Sequence, residues 1–246
     1  PDTILQRPGS FFRYTGVLMR RFLPALFPLL LACAAASFDV VFGSCSKHVE
    51  HPMLDRVLAR PMDLFLYMGD NIYADTTDMA VMRRKYDALK ASRFHQEIRS
   101  RVPVLATWDD HDFGGNDVGA EYQMKRESQK EFLDWLEVPP EDPRRSREGV
   151  YSAEIHGPPG RRLQVILLDT RYFRSPMKRA EKGQETPAGP YLPTDDPAAT
   201  VLGAAQWAWL EGELRKPAEL RLVVSSIQFA AGACGAEGWS NFPREQ

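Results

Sequence analysis

The feature that most constrains this chain is a pair of apolar runs, each of which ends abruptly in acidic residues. The first run, "LFLYM" at residues 64–68, is followed by "GDNIYAD", and the second, "VLATW" at residues 104–108, is followed by "DDHDFGGND". A short run that is apolar at every position predicts a strand buried on both faces. Acidic residues therefore follow the carboxyl ends of both predicted strands, and the fold must accommodate the charges of these residues together.

Strands and helices alternate along the rest of the sequence, which predicts an α/β fold. Apolar residues at three- to five-residue spacings predict the helices, whereas Pro, Gly and charged residues concentrate in one predicted surface loop at residues 175–200. We expect strands near residues 38–43, 64–68, 102–108, 163–168 and 221–228, and helices near residues 52–61, 79–98, 122–137 and 203–216.

Polar side chains follow four of these five predicted strands. They are Cys45 after the first strand, Asp70 with Tyr73 after the second, residues 109–116 after the third, and Asp169 with Arg171 after the fourth. Ligands of α/β folds bind beyond the carboxyl ends of the strands, so these side chains predict one shared site. A lone Asp after a strand commonly caps a helix or closes a turn, and the prediction therefore depends on the coincidence of several.

The predicted site favours metal chemistry. In "DDHD" at residues 109–112, three carboxylates stand beside one histidine. Like charges this close repel, and an unpaired carboxylate in a water-poor pocket costs several kcal/mol, so we predict a bound cation. The sequence has no HExxH or CxxC spacing that would indicate zinc. Carboxylate oxygens favour calcium, magnesium or manganese, whereas Cys45 and Tyr73 favour a more strongly polarising ion such as ferric iron.

Residues 1–36 form a separate leader. Within it, "MRRFLPALFPLLLACAAAS" places two arginines before an apolar stretch at residues 22–32 and small residues after it, the layout of a secretory signal. The apolar stretch is shorter than the roughly 20 residues of a membrane-spanning helix. We predict an exported protein of the periplasm or cell envelope, with Met19 as a natural start and Cys33 as a candidate lipid anchor. The alternative is an apolar helix packed on the domain.

Five motifs carry a family resemblance. In chain order, "FGSC", "GDNIYAD", "TWDDHDFGGND", "LLDTRYFR" and "SSIQ" resemble the PhoD-like alkaline phosphatase family of the metallophosphoesterase superfamily. The resemblance covers about residue 38 to the end, which we take as one domain at residues 37–246. It implies a metal-dependent phosphoric ester hydrolase, folded as a β-sandwich flanked by helices. It also implies Ca²⁺ and Fe³⁺ as cofactors, although other divalent metals are compatible with the ligands.

The resemblance further implies a metal ligand set. Asp70 of "GDNIY" is the predicted bridging ligand between the two metals. Tyr73 and Cys45 are the predicted iron ligands, and Asn116 matches an asparagine that binds the calcium side. The acids at positions 109, 110 and 112 are placed in a supporting shell around these ligands.

Two residues are predicted to take part in catalysis. Arg171 of "LDTR" matches an arginine that grips the substrate phosphate. His111 stands where the superfamily keeps a catalytic histidine, and a hydrogen bond from it to a carboxylate is an equally compatible role. The predicted reaction is in-line attack of a metal-bound hydroxide on phosphorus without a phosphoenzyme, because a metal pair can generate hydroxide and neutralise phosphoryl charge.

The chain departs from the family pattern after "SSIQ". The pattern continues with a helix and a Gly-Asp-x-His segment that supplies further metal ligands, whereas this sequence ends at "NFPREQ". We therefore expect a domain truncated before its C-terminal metal-binding motif, with the last strands of the sandwich missing and little activity.

The expected substrate is a small-molecule phosphate ester, with nucleotide or phospholipid diesters as rival substrates. The net charge of −2 and the pI of about 6.3 argue against a binder of nucleic acid, and we expect no sequence-specific nucleic-acid binding. The alternative from a different class is a non-catalytic envelope protein that keeps the fold and binds phosphate or metal without turnover.

Overall fold

The computed structural model describes residues 37–45, 52–184, 186–231 and 235–246. The predicted leader at residues 1–36, with Met19 and Cys33, lies outside these residues, so export and lipid anchoring stay predictions. Every helix and strand described here belongs to one compact unit, Phe38–Gln246. Across the described ranges, no helix is both long and apolar enough to cross a bilayer.

The elements alternate much as the sequence predicts. The strands are β1 (Val40–Gly43), β2 (Leu64–Met68), β3 (Val104–Thr107), β4 (Ser152–His156), β5 (Leu163–Leu167), β6 (Lys178–Arg179), β7 (Tyr191–Leu192) and β8 (Leu220–Val224). The helices are α1 (Pro52–Leu58), α2 (Met79–Ala91), α3 (Arg93–Arg101), α4 (Asp110–Phe113), α5 (Lys125–Trp135) and α6 (Gly203–Leu214).

Two three-stranded sheets form the centre of the unit. In the first sheet, β1, β2 and β3 are parallel and adjacent in that order. In the second sheet, β5 lies between β4, which is antiparallel to it, and β8, which is parallel to it. Because β1 to β3 are parallel, their carboxyl ends meet at one edge of the first sheet, and the loops that carry the predicted metal ligands leave from that edge. Arg171 of the predicted site instead follows β5 of the second sheet.

β2 is apolar at every position because its successive side chains face opposite sides of the sheet and both sides are covered. Leu64 and Leu66 pack against Val165 and Leu167 of the second sheet. The intervening residues 65 and 67 face α2, α3 and α5 on the opposite side, in a core that includes Met82, Tyr86, Ile98 and Phe132. Ile166 and Leu168 of the second sheet pack with Leu210 of α6 in a third cluster. The two sheets are therefore sandwiched between helices, which confirms the predicted α/β sandwich.

The structure corrects several predicted elements. The apolar spacing over residues 79–98 is compatible with one or two helices, and the structure has two, α2 and α3, because the Ser92 hydroxyl accepts from the His95 amide and starts a new helix. β4 was not predicted; it is an edge strand whose side chains are half-buried or exposed, and it lacks a buried alternating pattern. Residues 175–200 were predicted to be loop, but contain the short antiparallel pair of β6 and β7. The last strand ends at Val224, since Ser226 turns its hydroxyl to Asp109.

Candidate metal centre

The carboxyl end of the first sheet brings the predicted iron ligands onto one carboxylate. The Cys45 Sγ lies 3.6 Å from Asp70 Oδ2, and the Tyr73 hydroxyl donates to the same oxygen at 3.1 Å. The two loops are joined directly, because the Cys45 amide donates to the Gly69 carbonyl at 3.2 Å. A thiol, a phenol and a carboxylate that come from two different strands therefore meet at Asp70.

The backbone around these ligands is strained. Cys45 has a φ of 57°, Asp70 of 51° and Asp75 of 47°. Non-glycine residues seldom adopt this left-handed conformation, and each instance costs of order 1–3 kcal/mol unless surrounding contacts impose it. Such strain concentrates where side chains must be aimed at a ligand. The conformation of the turn after β2 thus orients the Asp70 and Asp75 side chains toward the candidate centre, at a cost in local stability.

A second group of ligand atoms surrounds Asp70. Asp70, Asp110 and His111 each offer an atom within 4.8 Å of the others. Burial raises the pKa of the Asp70 carboxyl, and the neighbouring charge of Asp110 raises it further. Burial also acts to raise the pKa of Asp110, but Arg171 and the Asp117 amide outweigh it, so this pKa is lowered. One carboxylate thus disfavours the ionised state of the other, and a cation between them would remove that conflict.

Asp75 holds the ring of His111. His111 Nδ1 lies 2.6 Å from Asp75 Oδ1, and the His111 and Tyr73 ring centroids are 4.2 Å apart. Burial acts to lower the pKa of His111, but the bond to Asp75 and the charges of Asp110 and Asp70 outweigh it and raise the pKa. No role in the site was predicted for Asp75 from the sequence. Its position five residues after Asp70 gave no signal that it pairs with a histidine 36 residues away.

The three acids predicted as a supporting shell have three different roles. Asp112 is fully buried and accepts from the Asn71 and Asp109 amides at 3.1 and 2.6 Å, so it ties the two loops together. Asp109 binds Arg171. Asp110 is the one that turns toward Asp70 and His111, and it therefore joins the candidate ligands.

Arg171 is completely buried beside this centre. Its side chain is 0% exposed, its Nε donates to Asp109 Oδ1 at 2.6 Å, and its two Nη groups donate to the two oxygens of Glu237 at 2.6 Å each. Arg174 also reaches Glu237, at 3.2 Å. Glu237 was missed by the sequence analysis, because nothing near "AEGW" indicates a partner 66 residues earlier in the chain.

An open cavity of about 650 Å³ lies next to His111. Residues 75–77 line one side, and His111 with residues 114–116 lines the other. Asn116, the predicted calcium ligand, is exposed in this wall. The structure thus brings Cys45, Asp70 and Tyr73 together and places Asn116 along the adjoining cavity.

A match to a known family covers this whole region. A family model described as "PhoD-like phosphatase" matches residues 40–237. The chain belongs to the PhoD-like phosphatase family. A solved structure described as "Structure of PhoD" aligns with a TM-score of 0.64 at 18% sequence identity, over 83% of this chain and 46% of that chain. At that identity the likeness shows the fold alone, and the chain spans about half the length of that PhoD chain. No curated protein sequence matches the chain described here.

The donor set at the candidate centre fits the metals implied for a PhoD-like phosphatase. Burial and the contacts with Cys45 and Asp70 raise the pKa of the Tyr73 phenol, so a phenolate at neutral pH requires a nearby cation. Thiolate and phenolate suit ferric iron, whereas the carboxylate of Asp110 and the amide oxygen of Asn116 suit calcium. The donors that meet at Asp70 therefore fit a bound metal ion.

A second group of acids close by is already compensated. Asp110, Asp117 and Glu237 also offer atoms within 4.8 Å of one another. Arg171 lies 3.9 Å from Asp110 and binds Glu237, so its positive charge serves this group. The Tyr191 hydroxyl donates to Asp117 at 2.7 Å. Arg171 thus supplies positive charge to two of the three acids, and Tyr191 supplies a hydrogen bond to the third.

Proposed function

We propose that this PhoD-like phosphatase is a metal-dependent phosphoric ester hydrolase. The observation that supports the proposal most directly is the convergence of Cys45, Tyr73, Asp110 and His111 on Asp70 beside an open cavity. Metal ligands, a histidine and space for a substrate are what ester hydrolysis at phosphorus requires.

Cys45, Tyr73 and Asp70 would hold an iron ion, and Asp70 with Asn116 would hold a calcium ion. Asp110 lies close enough to Asp70 to complete either set. Cations bound there would lower the pKa of a coordinated water and neutralise negative charge on the phosphoryl group. Calcium and iron are proposed from the donor types, since hard oxygens and softer anionic ligands favour different ions.

His111 is the residue proposed to move a proton. Its Nδ1 is bound to Asp75, which fixes the ring and leaves Nε2 as the nitrogen that donates to the departing oxygen. The bond to Asp75 and the charges of Asp110 and Asp70 outweigh burial and raise the pKa of His111, which widens the pH range over which the ring carries a proton. Asp75 acts through His111, by orienting the ring and stabilising its positive charge.

The family resemblance implies that Arg171 binds the substrate phosphate. The contacts of Arg171 in the structure determine what must change before it can do so. Both Nη groups are bound to Glu237, so contact with a phosphate requires the Glu237 carboxylate to move aside. In the arrangement seen here, Arg171 acts on the centre through its charge, because it lowers the pKa of Asp110 and keeps that carboxylate ionised.

The proposed reaction transfers the phosphoryl group directly to water. No side chain takes the phosphoryl group as a covalent intermediate in this scheme. Hydrolysis of a phosphorothioate ester made chiral at phosphorus by oxygen isotopes should proceed with inversion, because a single in-line displacement inverts the phosphorus. Retention, which two successive displacements through a phosphoenzyme produce, would contradict direct transfer.

Replacing Asp70 tests the function as a whole. The Asp70→Asn variant should lose bound metal and at least about a thousandfold in kcat/KM, about 4 kcal/mol of transition-state stabilisation. Activity on p-nitrophenyl phosphate and bis-p-nitrophenyl phosphate, which also separates monoester from diester preference, is measured together with metal content by mass spectrometry. Asp87→Asn, an exposed carboxylate on α2, is the matched control and should leave both unchanged. Equal activity in the two variants would refute the proposed centre.

Export belongs to the same proposal. It is supported by the arrangement of arginines, apolar residues and small residues at positions 19–36. Mass spectrometry of the protein recovered from outside the cytoplasm should show a new amino terminus after this stretch. Recovery of the chain with an intact residue 1 would argue against export.

A further inference from the structure

The cavity beside His111 has rigid walls. The Tyr122 hydroxyl donates to the Thr76 carbonyl at 2.6 Å, which joins the wall at residues 75–77 to the segment after α4. The Tyr122 ring also fills the space next to Gly114, where an added Cβ would lie 2.4 Å from Cζ. The Ala74 amide donates to the His111 carbonyl at 3.0 Å and joins the two walls again. The cavity is therefore preformed, as ligand sites usually are.

In the described lining, ionisable side chains are confined to Asp75 and His111. The Asp75 side chain is 44% exposed, and its Oδ1 lies 2.6 Å from His111 Nδ1, so the histidine offsets the charge of this carboxylate. No Lys or Arg is found among the described residues that line the cavity. Lys85 approaches from α2, but its ammonium group binds the Tyr73 carbonyl. A charge added elsewhere on these walls would therefore act on a bound substrate group directly.

We propose that this cavity receives the leaving group of the ester. The inference rests on the proposed hydrolase function and specifies where the leaving group of its substrate lies. His111 adjoins both the metal ligands and the cavity, so an ester with its phosphorus at the candidate centre directs one substituent along this wall. A charge introduced on the wall should therefore attract a leaving group of opposite charge and repel one of like charge.

Thr77 offers a test that leaves the reacting groups intact. It is exposed on the cavity wall, and no catalytic or metal-binding role is assigned to it. The Thr77→Glu, Thr77→Lys and Thr77→Gln variants add a negative charge, a positive charge and a neutral side chain of similar length. The substrates are phenyl phosphates with a para trimethylammonium, acetyl or sulfonate group. Comparing variants on the same substrates cancels their different intrinsic reactivities.

The decisive quantity is the ratio of kcat/KM for the cationic ester to that for the anionic ester. Relative to Thr77→Gln, this ratio should rise about threefold in Thr77→Glu and fall about threefold in Thr77→Lys, since unit charges a few ångströms apart in water interact at this scale. Both shifts should shrink in 0.5 M salt, where charges are screened beyond about 4 Å.

Equal ratios in all three variants would overturn the inference while leaving the hydrolase function intact. A shift of the ratio in the direction opposite to the added charge would overturn it as well. Absence of hydrolysis of every ester by the unmodified, metal-loaded protein would instead refute the proposed function, and the inference would fall with it. The neutral acetyl ester should be affected least by the added charges.

Discussion

At the scale of single residues, the candidate centre depends on backbone conformations that most side chains avoid. Cys45, Asp70 and Asp75 all have positive φ. Gly69, directly before Asp70, has a φ of 108°, and an added Cβ would lie 2.6 Å from the Asp109 Cβ. The glycine therefore lets the loops after β2 and β3 touch, which places Asp70 and Asp110 in the same group.

The Gly69→Ala substitution should lower the free energy of unfolding by about 2–4 kcal/mol, since it combines a disfavoured φ with a steric clash. Chemical denaturation measures the change. Gly43→Ala at the end of β1 is the control, because an added Cβ there meets nothing within 4 Å, and it should cost less than about 1 kcal/mol. Similar losses in the two variants would show that the close approach at Gly69 is not limiting.

The buried side chain of His95 should make the stability of the protein depend on pH. It is buried against Tyr67, and burial, with a smaller contribution from Arg99, lowers its pKa to about 4. The unfolded chain takes up this proton near pH 6.5, while the folded chain does so only near pH 4. The stability that the neutral ring contributes is therefore complete above pH 6.5 and is lost as the pH falls toward 4.

Measuring unfolding of the protein and of its His95→Phe variant between pH 7 and 4 isolates this effect. Relative to the variant, the protein should lose up to about 3 kcal/mol across the interval, at about 1.4 kcal/mol for each pKa unit. Carboxylates that titrate in the same range contribute to both proteins. Parallel pH profiles for the two would contradict a buried neutral His95.

At the scale of elements, α6 is capped by a residue far away in sequence. Glu245 accepts from the Leu202 amide at 3.0 Å, from the Val201 amide, and from the Trp207 indole at 2.6 Å. A carboxylate at a helix amino terminus satisfies amides that lack partners within the helix and interacts favourably with the helix dipole. The sequence of α6 has no capping residue of its own at Leu202, and the chain supplies one from its last residues.

Glu245→Gln should destabilise the protein by about 1–3 kcal/mol, because the amide removes the charge and turns a donor toward backbone donors. Thermal unfolding measures the change. Glu211→Gln on the exposed face of α6 removes a surface pair with Arg215 and should cost no more than about 0.5 kcal/mol. A smaller effect at Glu245 than at Glu211 would rule out the capping role.

At the scale of the whole unit, a buried ion network joins distant parts of the chain. Arg171, just after β5, binds Asp109 after β3 and Glu237 near the end of the chain. Burial acts to lower the pKa of Arg171, but Asp109 and Glu237 outweigh it and raise this pKa. Removing one partner of a buried pair leaves charge without compensation, which costs more than the intact pair contributes.

Two bidentate Arg–Glu pairs allow a direct comparison of buried and exposed charge. Glu237→Gln should lower the free energy of unfolding by about 2–4 kcal/mol, since Arg171 keeps only part of its compensation. Glu219→Gln, which removes the exposed partner of Arg162, should cost clearly less than Glu237→Gln, because exposed ion pairs contribute little to stability. Equal losses, measured by denaturant unfolding, would show that burial does not govern the Arg171 network.

The sequence by itself determined the fold class and most of the central elements. β2 and β3 are continuous apolar runs. Because successive strand residues face opposite sides, such a run predicts that both faces of the strand are buried. The order of the motifs was also enough to indicate the family, which the match to residues 40–237 confirms. Edge strand β4 and the β6–β7 pair were missed, since strands that bury little carry no periodic signal.

Only the tertiary structure decided which polar residues work together. Asp75 had no predicted role and Asp110 was predicted in a supporting shell, whereas the fold pairs Asp75 with His111 and brings Asp110 beside Asp70. Nothing in the sequence indicated Glu237, whose carboxylate binds the Arg171 guanidinium. Local patterns record which side a strand or helix buries, because that depends on neighbours in sequence. Pairing of charges depends on how loops from separate strands converge, and that follows only from the packed sheets.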